Sequence, residues 1–230
     1  MPDAAMVFAA GLGTRMGALT RDRPKPLIEV AGQPLVDHAL ALVRAAGIAR
    51  IVVNTHAHAG QMAAHLAQTA PDVQVSHEPV LLDTGGGLKN ALVLLGADPV
   101  ATLNADMVWQ GPNPLAALGA AWEPDSMDAL LMLVRRNRAT GHAGPGDFFL
   151  NRDGRLARRG DAAEADYVYA GAQLVRTAPV ANAPDSVFSL NTVWDGILAA
   201  GRAYGIVHPG LWVDVGRPDG IGLAEAALAQ

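Results

Sequence analysis

The residues best placed to do chemistry begin with Ala9-Ala10-Gly11-Leu12-Gly13-Thr14-Arg15-Met16, followed by Pro24-Lys25-Pro26. Gly11-x-Gly13 comes directly after the apolar run Ala5–Ala10, where glycine frees backbone N–H groups to turn towards one anion. A glycine pair after a strand also serves as a plain tight turn. Two common glycine fingerprints do not fit: no Gly-Lys-Ser/Thr follows, and Gly11-x-Gly13-x-x-x-Gly17 misses the dinucleotide spacing by one residue. Arg15 and Lys25 tip the reading towards an anion site, because two cations crowded into one loop repel unless they share an anion such as a polyphosphate. Pro24 and Pro26 bracket Lys25 and predict an extended, rigid base for its long side chain.

Two carboxylates stand where a metal would be useful. Asp106 follows the apolar run Val100–Asn104, at the carboxyl end of a predicted strand, where open α/β sheets place their ligands. Asp214 lies within Trp212-Val213-Asp214-Val215, and a carboxylate in a buried strand is costly unless paired, hydrogen-bonded or bound to metal. The pair could converge on Mg2+, which takes one or two carboxylates and completes its shell with phosphate oxygens and water. A turn or cap role remains open for each aspartate. In Leu82-Asp83-Thr84-Gly85-Gly86-Gly87, the glycines could let a nucleobase or ribose approach the backbone while Thr84 supplies a hydroxyl. The competing reading is an ordinary glycine-rich helix N-terminus. His56, His58 and His65 match no zinc spacing, and without cysteine they predict surface or helix-cap roles.

Elements must hold these residues in place. Short apolar runs at Ala5–Ala10, Ile51–Asn54, Val73–His77, Val100–Asn104 and Ala129–Val134 predict strands. Helical spacing of Leu35, Val36, Ala39, Leu40, Val43 and Ala46, ended by Gly47, predicts a helix, and a helix-like stretch ends near Leu95. Continuous rather than alternating apolar strands predict a sheet buried on both faces. Beyond about residue 140 the pattern loosens, with strands at Phe148–Leu150, Val168–Leu174 and around Trp212–Val215. Helices are predicted near Thr192–Arg202 and from Pro218.

The chain has 230 residues, of which 50% are apolar and 17% charged, so one globular α/β domain is expected and wholesale disorder is excluded. Residues 1–135 or so read as the half built on the mostly parallel sheet, and about 136–230 as the half that holds the acceptor side of the site. No cysteine is present, so thiol chemistry and disulfides are excluded. The N-terminal apolar run is too short for a signal peptide or membrane span, which predicts a cytoplasmic enzyme. The net charge of −5 argues against nucleic acid as a partner, so any phosphate site is local.

The glycine loop with Pro24-Lys25-Pro26-Leu27 resembles the signature of the sugar-1-phosphate nucleotidyltransferase family, over almost the whole chain. Within it the likeness is strongest to the short bacterial N-acetylmuramate α-1-phosphate uridylyltransferases, through Thr84-Gly85-Gly86-Gly87, His142-x-x-x-Gly146-Asp147-Phe148 and Trp212-Val213-Asp214-Val215-Gly216. Met16-Gly17 is also similar to the molybdenum-cofactor guanylyltransferases, which place their lysine sooner after such a pair. The resemblance implies a Rossmann-like three-layer sandwich with a mostly parallel mixed sheet. It implies Mg2+-dependent transfer of a nucleoside monophosphate, from UTP by preference, to a sugar 1-phosphate. N-acetylmuramic acid 1-phosphate would serve peptidoglycan recycling, while mannose 1-phosphate with GTP and glucose 1-phosphate with a thymidine triphosphate are alternatives. A silent nucleotide-sugar sensor is a third reading, against which the joint presence of Arg15, Lys25, Asp106 and Asp214 argues. By resemblance, Ala10, Gly11, Leu12 and Gly13 hold the triphosphate, Arg15 the departing pyrophosphate, and Lys25 the charge between phosphates. Thr84, Gly85 and Gly86 take the nucleoside, and Asp106 and Asp214 take Mg2+. Gly146, Asp147 and Gly171 occupy the places where relatives approach the sugar. Many larger relatives carry Glu-Lys-Pro where this chain has Glu164-Ala165-Asp166-Tyr167-Val168-Tyr169. A monomer or small homo-oligomer is expected.

Overall fold

The computed structural model describes residues 1–230. The elements run β1 (Ala4–Phe8), a short hairpin of β2 (Glu29–Val30) and β3 (Gln33–Pro34), α1 (Leu35–Ala45), β4 (Arg50–Thr55), α2 (Ala59–Thr69) and β5 (Gln74–His77). Next come α3 (Asp83–Leu95), β6 (Val100–Asn104), β7 (Met107–Gln110), α4 (Pro114–Ala121), β8 (Ala129–Arg135), β9 (Phe148–Leu150) and β10 (Leu156–Arg158). The chain closes with β11 (Tyr167–Val175), α5 (Thr177–Ala181), α6 (Leu190–Ala199), β12 (Ala203–Val207), β13 (Leu211–Asp214) and α7 (Asp219–Leu228).

Side chains alternate across a strand, so a run that is apolar at every position needs two covers. In β1, Ala5 and Val7 enter one core while Ala4 and Met6 enter another. The same division holds in β8, where Leu130, Met132 and Val134 face the first core and Ala129, Leu131 and Leu133 the second. The first core is closed by α1, α2 and α4 through residues such as Leu40, Met62 and Leu115. The second is closed by α3 and α6 through Leu88, Leu95, Val193 and Trp194. Two cores on one sheet make the three-layer sandwich that the apolar runs predict.

The sheet has nine strands in the order β10-β9-β11-β6-β1-β4-β5, with β8 beside β11 and β12 beside β8. Strands β5, β4, β1 and β6 are mutually parallel. Antiparallel β11 joins β6 to the rest of the sheet. Its register against β8 shifts between Tyr169 and Gln173, and Gly171 sits in that shift with φ +84°. A separate antiparallel ribbon pairs β7 with β13. Below it a third core gathers Met16, Ile28, Val108, Val213, Val215 and Ala224. Met16 therefore anchors the glycine loop to the ribbon and to α7.

Candidate active site

Strand β1 ends at Phe8, two residues short of the predicted Ala10, because the Ala9 N–H leaves the sheet and donates to Asn54 Oδ1 at 2.7 Å. The chain then turns over the carboxyl ends of β1, β4 and β6, around a cavity of about 410 Å3. Ala10, Gly11, Lys25 and Asp106 line one end. Asn54, Glu78, Leu81, Asp83, Thr84 and Val187 line the other, and Asn104 also reaches the cavity.

A cation and a carboxylate meet at the first end. Gly13 has φ +63°, and a Cβ there would lie 2.9 Å from Lys25 Cβ, so glycine lets the loop and Lys25 pack together. Pro24 is extended as expected, but Lys25–Leu27 form a 3-10 turn rather than an extended segment. Leu27 N–H donates to Pro24 O and Ile28 N–H to Lys25 O, and the missing N–H of Pro26 falls in the first turn, where no partner is required. Lys25 Nζ donates to Asp106 Oδ2 at 2.6 Å, with a side chain only 9% exposed. The cation therefore has a carboxylate partner before any phosphate arrives. Arg15, in contrast, is exposed and forms no ion pair.

The β7–β13 ribbon brings the two aspartates together: Asp214 pairs with Met107, the neighbour of Asp106, and Val215 N–H donates to Asp106 O at 3.0 Å. Asp214 is 8% exposed, and its Oδ1 is buried without a hydrogen-bond partner. Its Oδ2 lies 3.7 Å from His142 Nδ1. A Cβ at Gly216 would be 2.8 Å from Asp214 Oδ1 and 3.3 Å from Arg15 Nη1, so this glycine lets the arginine approach the carboxylate. No third acidic or imidazole side chain completes a metal cage.

At the other end, the glycines act differently from the expectation that they open backbone to a nucleoside. Gly85 and Gly86 are buried in the first turn of α3, where Cβ atoms would lie 2.3 Å from Phe188 Cε2 and 2.2 Å from Ser186 O. Their N–H groups both donate to Phe188 O. They admit a strap of the chain's own backbone, which brings Val187 to the cavity wall. Thr84 does reach the cavity, while its Oγ1 also accepts from Leu190 N–H at 3.0 Å. Beside it, Asp83 holds the left-handed φ of +60° and accepts the Thr84 N–H with Oδ1.

The predicted sugar residues lie on the far side of β6. Gly146 has φ +88° and would meet Ala165 O at 2.3 Å if it carried a Cβ. Asp147 Oδ2 accepts from Tyr169 N–H at 2.8 Å, holding the part of β11 that precedes the shift. Gly171 packs against Asn104, which lines the cavity. Of the predicted residues, Ala10, Gly11, Lys25, Thr84 and Asp106 line the cavity itself. Gly13 packs against Lys25 and Gly171 against Asn104, so both lie directly behind the cavity lining. Asn54, Glu78 and Asn104 were not predicted, although Asn54 and Asn104 are polar residues at the ends of apolar strands; Glu78 follows β5, whose Gln74-Val75-Ser76-His77 is mostly polar. The histidines diverge: His56 Nδ1 bonds Glu78 O, His65 Nε2 bonds Asp37, and His58 occupies the residue before α2 without a side-chain cap.

The model of the MobA-like NTP transferase domain matches residues 5–190. The chain is 44% identical, over all of its length and 98% of the relative's, to the N-acetylmuramate alpha-1-phosphate uridylyltransferase of Caulobacter vibrioides. It is 34% identical to the protein of that name in Neisseria meningitidis, over 92% of each chain. Its fold matches the inositol-1-phosphate CTP transferase from T. maritima with a TM-score of 0.79, at 16% identity, over 99% of this chain and 96% of that one. The chain thus belongs to the sugar-1-phosphate nucleotidyltransferase family, with a MobA-like NTP transferase domain.

Proposed function

We propose that this nucleotidyltransferase transfers uridine monophosphate from UTP to N-acetylmuramic acid 1-phosphate, releasing pyrophosphate. The observation that carries the reading is the Lys25–Asp106 pair, set at one end of a cavity beside the open glycine loop. An oxygen of the sugar 1-phosphate attacks the α-phosphorus, a new P–O bond forms, and the bond to the β-phosphate breaks. The attacking phosphate is already ionised near neutral pH, so the protein's work is alignment and charge neutralisation. Gly11 offers unobstructed backbone, Lys25 neutralises charge where the phosphates meet, and Arg15 is free to hold the departing pyrophosphate. In the nucleotide half, Thr84 with its apolar neighbours Leu81 and Val187 flanks the nucleoside; in the sugar half, Gly146, Asp147 and Gly171 shape the acceptor side.

The donor set fits Mg2+. Two observations support it: the buried, unpartnered Oδ1 of Asp214 is costly as it stands, and the next residue, Val215, donates its N–H to Asp106 O. Asp106 and Asp214 would hold the ion, the remaining ligands being phosphate oxygens and water. The ion would supply charge stabilisation on the phosphates. The relatives named as muramate uridylyltransferases support the choice of base and sugar, and with it a place in peptidoglycan recycling within the cytoplasm. No helix is long and apolar enough to cross a membrane.

Pyrophosphate release should be assayed with UTP, GTP, TTP and CTP against the 1-phosphates of N-acetylmuramic acid, mannose and glucose, with Mg2+. UTP with the muramic acid derivative is expected to have the highest kcat/KM. A higher value for GTP with mannose 1-phosphate or TTP with glucose 1-phosphate would reassign the substrates. Silence across all pairs would favour a sensor.

A further inference from the structure

The third glycine of the Thr84–Gly87 run faces neither the strap nor open cavity. A Cβ at Gly87 would lie 2.6 Å from Glu78 Oε1 and 3.1 Å from Asn54 Nδ2. Glu78 is fully buried and Asn54 is 3% exposed, yet both line the cavity wall. Asn54 Oδ1 accepts from Ala9 N–H, and Asn54 Nδ2 donates to Glu78 Oε1, each at 2.7 Å. Glu78 Oε2 accepts from Leu82 N–H at 3.0 Å. Three hydrogen bonds thus run without a break from the start of the glycine loop to the residue that opens α3. Glu78 forms no ion pair, and a buried carboxyl group held by neutral donors is a poor device for stability alone.

The ends of this chain are fixed, since two backbone N–H groups can only donate. Between them the side chains must present one acceptor to each end and one donor–acceptor contact to each other. An amide facing a carboxylate does so. Two amides leave donor against donor whichever way they are flipped, and two carboxylates leave acceptor against acceptor. We infer that Asn54 and Glu78 are positioning residues that set the spacing between the glycine loop and the first turn of α3, and hence the fit of the triphosphate's nucleoside end. The inference rests on reading the cavity as the triphosphate site, and neither residue is placed on the reacting atoms.

Transposing the amide and the carboxylate restores every bond, so an exchange of the two side chains tests their pairing. The measurements are the UTP dissociation constant by calorimetry, the KM for the sugar 1-phosphate and the thermal midpoint. They are made on the wild type, Glu78→Gln, and the Asn54→Asp/Glu78→Gln double variant. Glu78→Gln should weaken UTP binding by about tenfold or more, within the range of one mismatched buried hydrogen bond, with the sugar-phosphate KM held within about twofold. The double variant should bind UTP within about threefold of wild type. Wild-type affinity in Glu78→Gln would overturn the inference, as would a double variant as weak as the single one or unable to fold. If Glu78→Gln itself does not fold, a folded double variant with restored affinity supports the pair, and one without it refutes it. A wild type that binds none of UTP, GTP, TTP and CTP would instead overturn the reading of the cavity, and the pair's role with it.

Discussion

At the scale of single residues, the placement of Lys25 depends on the absence of a side chain at Gly13. In Gly13→Ala the new Cβ would stand 2.9 Å from Lys25 Cβ and 3.0 Å from Thr20 Cγ2, at a φ of +63° that L-residues rarely adopt. Overpacking and backbone strain together should cost about 1–3 kcal/mol of stability and displace Lys25. Denaturant titration and turnover should fall together, and a variant unchanged in both would show that the loop tolerates a side chain. Gly11, Gly13 and Lys25 were legible in the sequence because they fall in one short window. Asp106 and Asp214 were legible because each interrupts or ends an apolar strand. The contact between Lys25 and Asp106 was not, since it spans a separation of 81 residues that no local pattern records. Asn54 and Glu78 were hidden for the same reason: their meaning lies in a hydrogen-bond chain across three separate segments. Gly85 and Gly86 announced a need for space without saying that the chain's own strap fills it.

At the scale of elements, that strap and α3 form one unit. Gly85→Ala would force a Cβ to 2.3 Å from the ring of Phe188, which is itself part of the second core. A loss of about 1–3 kcal/mol is expected from overpacking, with Val187 displaced from the cavity wall. Parallel measurements of the denaturation midpoint and the UTP dissociation constant test this: stability lost without weaker binding would separate the strap from the nucleoside site. The five early strand predictions all form, within one or two residues of their expected ends; β1, β4, β6 and β8 do so because strands buried on both faces are apolar nearly throughout, whereas the edge strand β5 buries only Ser76. Helix α2 gave less signal, with only Met62 and Leu66 of its eleven residues buried. Helix α4 is apolar nearly all round and so lacks a stripe. Strand β12 carries Gly205, an interruption that the packing of Leu133 and Leu156 requires, since a Cβ there would lie 2.8 Å from each.

At the scale of the whole molecule, the ribbon bearing Asp214 is joined to the main sheet through His208. Its N–H donates to Leu133 O in β8, and its Nε2 bonds Gln110 O in β7. Burial beside Trp109 holds the imidazole pKa below its ordinary value. The unfolded chain therefore takes up a proton near pH 6.5 that the folded chain resists, so the contribution of His208 to stability is complete above that pH and declines below it. The thermal midpoint should fall between about pH 7 and pH 5, and the slope should flatten in His208→Gln; an equal slope in both would assign the loss to other groups. The most direct test of nucleotidyl transfer is 31P detection of pyrophosphate and nucleotide sugar, formed from UTP and N-acetylmuramic acid 1-phosphate. The wild type should form the two products in equal amounts and depend on Mg2+, while Lys25→Ala and Asp106→Asn should each turn over at least about a hundredfold more slowly. Near-normal turnover in either variant, or no pyrophosphate from the wild type, would contradict the assignment.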